Sequence, residues 1–503
     1  MSEALRVLFL AAEADPFIKV GGLADVAGSL PLALRALPPE AAGGRPLDVR
    51  LVIPLHQGLR NQAETFRPAA SFTVRRGRGS LLTQVFEWSL EGMPVYFIGG
   101  DLLGEAPSVY SPDPQPDRAK YAFFSLAALE LARRLGWQPD VVHANDWHTA
   151  LALYALHAAG SGRMRPRPRT ILTVHNLPYM GGDATDVLRT YGLKPPADAS
   201  LPDWARTQLL PLGLWSADAV VPVSPTYARE VLTPEFGCGL DAYLRGRSET
   251  VTGILNGLDV GVWDPAKDQA LAASFSGVDL PARPANKAAL QQKLGLDEKP
   301  RAPLLAMIGR IDPQKGVDLA LRVLRGLGSA RLWQFVILGV GDPALEAEVR
   351  QLQTDFPDRV RAVLRFDASL GRLIYGGADL LLMPSRYEPC GLAQMIAMRY
   401  GCLPLVHATG GLKDTVTEGK TGFVFAEAQA ASMTETLLRA LRLYASPERW
   451  GGLQRSAMAE DFSWTGPARQ YSCLYLSSAS GAAAHPQGIS TPGGLVQANG
   501  GDR

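Results

Sequence analysis

Short β-branched or leucine-rich runs separated by helical patterns appear in two successive sets along this chain, and that repetition limits its fold more than any other feature. In the first half the runs are Arg6–Ala11, Val49–Pro54, Val141–His143, Thr170–Val174 and Ala219–Val223. The pattern restarts with Leu304–Ile308, Gln334–Leu338, Val360–Leu364, Asp379–Met383 and Leu403–Val406. Strands that alternate with helices are joined by right-handed crossovers, which build a parallel sheet covered on both faces. The chain has 503 residues, well beyond the ~250–300 over which one core usually keeps growing. An α/β protein of two Rossmann-like units in tandem follows, with a cleft between them.

The hinge is expected near residue 253, where Gly253–Asp264 follows the tight-turn residues Pro234, Gly237 and Gly239. The expected units are then residues 1–252 and 253–445. Residues 81–98 alternate apolar and polar on either side of Glu91–Gly92 and read as a β-hairpin inserted in the first unit. Asp117–Leu135 carries apolar positions at helical spacing. From Ser477 onward the chain is rich in Gly, Ser, Ala and Pro, with too few large apolar residues to pack, and a disordered tail is expected over 477–503.

Charge excludes some ligands. Fifty basic side chains against 49 acidic ones give a formal net charge of +1, and there is no long basic run, so nucleic acid is a poor candidate. A neutral polymer with a small anionic co-substrate fits better. Cys238, Cys390, Cys402 and Cys473 form no CxxC pair, which argues against zinc and against a disulfide framework and for a reducing cytoplasm. The apolar run Val7–Ala12 is too short for a signal core, and no stretch approaches the ~18–20 apolar residues of a membrane span.

Residue clusters at the ends of the predicted strands carry the chemistry. After the first run comes Lys19-Val-Gly-Gly-Leu-Ala-Asp25, followed by a helical pattern. Paired glycines before a helix let backbone N–H groups approach an anion, and Lys19 adds a positive charge, although a glycine turn also has a purely structural reading. The run is neither GxGxxG nor a Walker A loop. His143-Ala-Asn-Asp-Trp-His148 ends another strand, where Trp147 could stack on a sugar and Asp146 accept from hydroxyls. His143 reads equally well as a buried core histidine. Thr173-Val-His-Asn-Leu-Pro-Tyr179 ends the next strand, so the two clusters point at one cleft wall.

In the second half, Gly309-Arg-Ile-Asp-Pro-Gln-Lys-Gly316 places Arg310 and Lys315 where both can reach a diphosphate, or else serve as solvated loop charges. Pro384-Ser-Arg-Tyr-Glu-Pro-Cys-Gly391 puts Glu388 at another strand end, as an unpaired acid of the kind that often marks function.

These elements, in order with SPTYARE, PEFGCGLDAYL, ILNGLDVGVWDP, GGADLLLMPSRYEPCGL, YGCLPLVHATGGLKDTV and DFSW, resemble bacterial glycogen synthases and plant starch synthases, glycosyltransferase family 5, over about residues 7–465. The resemblance implies the GT-B fold, with a C-terminal helix within 446–476 returning to the first unit. It implies retaining transfer of glucose from ADP-glucose to the non-reducing end of an α-1,4-glucan; no metal cluster is evident in the sequence, and Arg310 and Lys315 can replace one. Lys19, Gly21 and Gly22 would hold the donor from one side, and Arg310 and Lys315 would neutralise its phosphates from the other. His175 and Asn256 would meet the donor glucose, Glu388 would orient its hydroxyls, and Cys390, Gly391 and Leu392 would supply the helix start beneath it. Asp25, Asp146, Trp147 and Asn176 would line the acceptor side, and Phe366 would stack on the adenine. Asn145, Met180 and Ala393 depart from the usual family pattern, and residues 181–204 match it poorly. The alternatives are a related enzyme with a small acceptor or a UDP-glucose donor, and a glucan-binding protein without catalysis.

Overall fold

The computed structural model describes residues 3–59, 65–104, 106, 108–111, 113–158, 164, 166–329 and 331–477, so the tail expected to be disordered lies, past Ser477, outside the described residues. Its first sheet contains β1 (Leu5–Leu10), β2 (Leu47–Pro54), β3 (Arg67–Arg75), β4 (Ser80–Leu90), β5 (Met93–Gly99), β6 (Val141–Asn145), β7 (Arg169–Val174) and β8 (Ala219–Pro222). They lie in the order β3-β4-β5-β2-β1-β6-β7-β8. The second sheet contains β9 (Leu304–Ile308), β10 (Gln334–Leu338), β11 (Val360–Val363), β12 (Leu380–Met383), β13 (Leu403–His407) and β14 (Phe423–Phe425), in the order β11-β10-β9-β12-β13-β14. All ten runs are strands, displaced by at most two residues. They are legible because strands buried on both faces are continuous apolar runs.

The hairpin is not an insertion. Glu91 and Gly92 both take positive φ, 50° and 81°, the conformation that a two-residue hairpin turn requires. However, the second arm, β5, pairs in parallel with β2, so the hairpin widens the main sheet. The nearly complete burial of β5 explains that placement. Beyond it β3 pairs antiparallel with β4, and this edge strand escapes sequence reading because its exposed residues and Pro68 mask the pattern. β14 is missed because it has only three residues.

Both sheets reverse direction of growth in the middle. In the first the reversal falls between β1 and β6, and in the second between β9 and β12. Loops leaving such neighbours turn to opposite faces of the sheet and open a crevice at the carboxyl ends of the strands. The sequence clusters sit there: Glu13–Gly22 follows β1, Asp146 follows β6, Gly309–Gly316 follows β9 and Pro384–Leu392 follows β12.

The chain passes between the units twice. Val251 bridges to Val220 on the way out, and Leu258 N–H donates to the Phe462 carbonyl at 2.7 Å where the returning segment runs alongside. The final helix, Thr465–Leu476, packs on the first sheet, with Trp464, Ala468, Tyr471 and Tyr475 in the same buried cluster as Val7, Phe9, Leu30 and Leu34. His143, which the sequence leaves open between core and sugar site, is fully buried under this helix: Nδ1 lies 2.7 Å from Tyr475 Oη and Nε2 2.7 Å from Thr173 Oγ1. Burial lowers its pKa to about 3, so the ring is neutral and structural.

Trp464 also packs over Gly257 in the outgoing crossover, where an added Cβ would lie 2.8 Å from the indole. Trp464→Ala should therefore loosen both the returning helix and the crossover, at a cost of about 3–5 kcal/mol, as for other buried aromatic truncations. Denaturant unfolding measures this directly, and a change under 1 kcal/mol would contradict the packing argument.

Candidate functional site

The first wall is built on the loop after β1. Glu13 is buried, and its Oε2 accepts from the N–H groups of Val20 and Gly21, the latter at 3.1 Å, while Oε1 accepts from Tyr110 Oη at 2.9 Å. The Val20 and Gly21 amides are thus not free to meet an anionic ligand, because a carboxylate of the chain already takes them. Burial raises the Glu13 pKa, although these same hydrogen bonds pull it down. Lys19 reaches Asp25 Oδ1 at 2.5 Å and Asp15 Oδ2 at 3.3 Å. Burial opposes the Lys19 charge, but the two carboxylates outweigh it and raise its pKa.

Asp146 begins the helix Asp146–Ala158 with φ +55°, a left-handed conformation that Asp tolerates better than most residues. The expected role for its carboxylate, accepting from sugar hydroxyls, is partly taken over by the chain. Oδ1 accepts from the backbone N–H groups of His175 at 2.7 Å and Asn176 at 3.4 Å, tying the end of β6 to the end of β7. Burial pushes its pKa up to about 7 against those hydrogen bonds. Trp147 is buried against Tyr121, His148 and Gly181, so its indole packs the core rather than offering an open stacking face. His175 Nε2 donates to Asn145 Oδ1 at 2.9 Å, and burial holds the ring neutral with a pKa of about 3. The acceptor atoms Asn176 Oδ1 and Asn256 Oδ1 are buried without a hydrogen-bond partner among the described residues.

The second wall lies at the reversal of the other sheet. Arg310 contacts Asp312 Oδ2 at 2.5 Å and Gln314 Oε1 at 2.9 Å. Gly316, at φ +67°, sits so close to the Pro384 carbonyl that a Cβ would lie 2.0 Å from it, which presses the Gly309–Gly316 loop onto the loop after β12. Lys315 Nζ consequently lies 2.7 Å from Glu388 Oε2, which also accepts from Ser385 Oγ at 2.9 Å. Glu388 is therefore not an unpaired acid. Both contacts use Oε2, and Oε1 has no hydrogen-bond partner among the described residues. Cys390 is buried, and burial pushes its thiol up to about 12. Gly391, at φ +73°, and Leu392 lead into the short helix Ala393–Arg399.

The two walls meet. A Cβ built on Gly22 would lie 3.5 Å from Leu392 Cδ1, so the loop bearing Lys19 and the loop bearing Glu388 approach to within about one methyl group across the cleft. Nearby, the Tyr387 side chain of the second unit stands beside Asn176 and Tyr179 of the first.

Residues 6–246 match the family described as starch synthase catalytic domain, and residues 286–455 match glycosyl transferases group 1. A glycogen synthase of an Anaeromyxobacter species is 41% identical over 94% of this chain and 99% of its own. The chain belongs to the glycogen and starch synthase family. A glycogen synthase of Lactiplantibacillus plantarum is 40% identical over 93% of this chain and 98% of its own. Among solved structures, the catalytic domain of Arabidopsis thaliana starch synthase IV, bound to ADP and acarbose, superposes with a TM-score of 0.84 at 34% identity, covering 94% of this chain and 99% of that one. A sucrose-phosphate synthase from Thermosynechococcus elongatus, at 20% identity and TM-score 0.59, shares the fold.

The chain is thus a glycosyltransferase of glycogen synthesis with the GT-B fold. Among its described residues no group of three or more His, Cys, Asp or Glu side chains could hold a metal ion, and no helix is long and apolar enough to cross a membrane. Three residues that shape this glycosyltransferase site are given no role by sequence reading. Glu13 and Tyr110 are 97 positions apart, and no local pattern joins them. Asn145, a departure from the family pattern, links β1 to His175 by also donating Nδ2–H to the Leu10 carbonyl at 2.9 Å. Phe366 is 86% exposed between β11 and the helix Ala368–Gly377, so its ring is not a core residue.

The Asp146 carboxyl yields a prediction with a definite sign. Its folded pKa of about 7 lies above the ordinary 3.8, so the native state holds the proton more tightly and this stabilising contribution is lost as pH rises through that window. Asp146→Asn cannot ionise, keeps an acceptor for the His175 amide and suits a positive φ. Its thermal midpoint should gain on the wild type as pH rises from about 4 to 7. A difference between the two proteins that does not vary with pH would refute the raised value.

Proposed function

We propose that this glycosyltransferase moves glucose from ADP-glucose to the non-reducing 4-hydroxyl of an α-1,4-glucan with retention, and releases ADP. The observation that carries the reading is the approach of the Gly21–Gly22 loop to the Cys390–Leu392 loop, which supports a shared cleft for Lys19 on one side and the Lys315–Glu388 pair on the other. The bound ADP and acarbose named for the starch synthase IV structure supply the matching ligand classes in a relative.

Departure of the diphosphate leaves positive charge on the sugar and negative charge on the leaving oxygens. Lys315 and Arg310 neutralise the phosphates, with Lys19 assisting from the other wall, and the reading needs no metal ion. An entering diphosphate competes with Glu388, Asp312 and Asp25 for these cations. Glu388 Oε1 takes a glucose hydroxyl while Lys315 and Ser385 hold Oε2. His175, neutral and fixed by Asn145, contacts the donor glucose with Asn256 close to it, and Asn176 lines the acceptor side. Same-face substitution, with the diphosphate accepting the acceptor proton, is favoured over a covalent intermediate. The Glu388 carboxylate is held by Lys315 and Ser385, and Asp146 is engaged by backbone amides, so neither is presented as a bare nucleophile. The unpaired thiols of all four cysteines support a cytoplasmic setting.

Glu388→Gln and Lys315→Ala should each lower turnover by at least ~10²-fold, the scale for losing one strong transition-state interaction. Transfer of labelled glucose to polymer is the assay, and near-normal turnover by either folded variant removes its assigned role.

For the donor base, the exposed Phe366 ring offers a larger stacking area to adenine than to uracil. ADP-glucose should therefore show the higher kcat/KM, and Phe366→Ala should erode that preference mainly through KM. Equal use of the two donors by the wild type, or unchanged ADP-glucose kinetics in the variant, would overturn the assignment.

A further inference from the structure

Two short helices, one from each unit, exchange side-chain caps at the edge of the cleft. In the first unit, Pro225–Glu230 follows β8 directly; in the second, Gly410–Thr415 follows β13. Glu230, the last residue of its helix, accepts through Oε1 from Gly410 N–H at 2.9 Å and from Thr409 Oγ1 at 3.0 Å. Asp414, near the end of the other helix, accepts through Oδ2 from Thr226 N–H at 2.7 Å and through Oδ1 from Thr226 Oγ1 at 2.6 Å. Each carboxylate thus satisfies a first-turn amide that its partner helix cannot satisfy internally. Arg229 flanks the pair, donating to Thr226 Oγ1 at 2.7 Å and lying 3.9 Å from Asp414. Beside them, Ser224 Oγ donates to the Pro389 carbonyl at 2.6 Å.

This exchange connects to the site through backbone contacts that tolerate no slack. Gly411 N–H donates to the Glu388 carbonyl at 3.0 Å. A Cβ on Gly410 would lie 1.9 Å from that same carbonyl, and one on Gly411 would lie 2.1 Å from the Cys390 carbonyl. At the other end, a Cβ on Gly253, in the outgoing crossover, would lie 2.3 Å from the Ser224 carbonyl. A shift of either helix is therefore felt at both the crossover and the Glu388 loop.

One atom works against the contact. Glu230 Oε2 is buried with no hydrogen-bond partner among the described residues. A carboxylate oxygen stripped of water without compensation raises the energy of the closed state, and separation of the units would rehydrate it. Four short hydrogen bonds to carboxylates favour closure, and one desolvated oxygen opposes it.

We infer that Glu230 and Asp414 form a reciprocal capping latch that sets how far the two units close and holds the Glu388–Leu392 loop in register. They are positioning residues for glucosyl transfer and do not touch the reacting atoms. The inference rests on the proposed location of the site, and the test separates the two. Glu230→Gln, Asp414→Asn, their double variant and Asp414→Glu are made in the full chain. Solution X-ray scattering with saturating ADP reads closure, steady-state kinetics reads transfer, and thermal melting reads folding.

Each neutral variant should give a larger radius of gyration with ADP than the wild type and a kcat at least ~10-fold lower, with the KM for glucan unchanged. Their effects should be non-additive in the double variant, as expected of two halves of one contact. Asp414→Glu, which keeps the charge, should recover part of the turnover. Unchanged closure and kcat in both single variants overturns the latch. So does a lowered melting temperature with normal closure and normal turnover per folded molecule, because the caps are then structural only. If Glu388→Gln remains active while the latch variants still open, the site assignment fails and the latch stands.

Discussion

The structure depends on a constraint of parallel sheets: a strand order that grows in one direction and then in the other must leave a crevice where it reverses. Right-handed crossovers send the connections from β1 and β6, and from β9 and β12, to opposite faces of their sheets. Backbone groups at those four strand ends find no neighbouring loop on one side, and polar residues collect there. Two such crevices face each other because the chain crosses between the units twice and its last helix is locked onto the first sheet by Tyr471, Tyr475 and Trp464. The cleft is thus a consequence of topology before any site residue is considered.

Within the cleft, charge is neutralised locally and can be reassigned. Lys19 rests on Asp25, Arg310 on Asp312 and Lys315 on Glu388. The Lys19 and Arg310 side chains are 42% and 55% exposed, where such pairing gains little net free energy, and in the proposed reading a diphosphate displaces the paired carboxylates. The pairing also keeps the flexible side chains of Lys19 and Lys315 near their places, which in the proposed reading lowers the ordering entropy paid on donor binding. Glu13 fixes the glycine loop by taking the Val20 and Gly21 amides for itself.

Rigidity of the first wall comes from buried polar groups at and behind its strand ends. Asp146 spans two strand ends, Asn145 fixes the His175 ring, and His143 joins β6 and β7 to the returning helix. All are polar, buried and hydrogen-bonded, an arrangement that specifies one geometry because any displacement leaves an unsatisfied group in a low-dielectric interior. Trp147 belongs to this support as well, although its chemistry suits a sugar equally well.

Sequence by itself determined the fold class, the ten principal strands and the positions of the strand-end clusters, because doubly buried strands are continuous apolar runs and ligand residues gather where those runs stop. It also carried the family, through motifs spread over nearly the whole chain. Tertiary structure alone decided which polar groups are occupied: that Glu13 takes the Val20 and Gly21 amides, that Glu388 is paired with Lys315, that Trp147 and His143 are buried, and that β5 joins the main sheet. It alone paired Glu230 with Thr409 and Gly410, and Asp414 with Thr226, which lie between 179 and 188 positions apart. The physical reason is common to all of these. Burial and hydrogen bonding depend on distance in space, and local sequence patterns report only the periodicity of a single strand or helix.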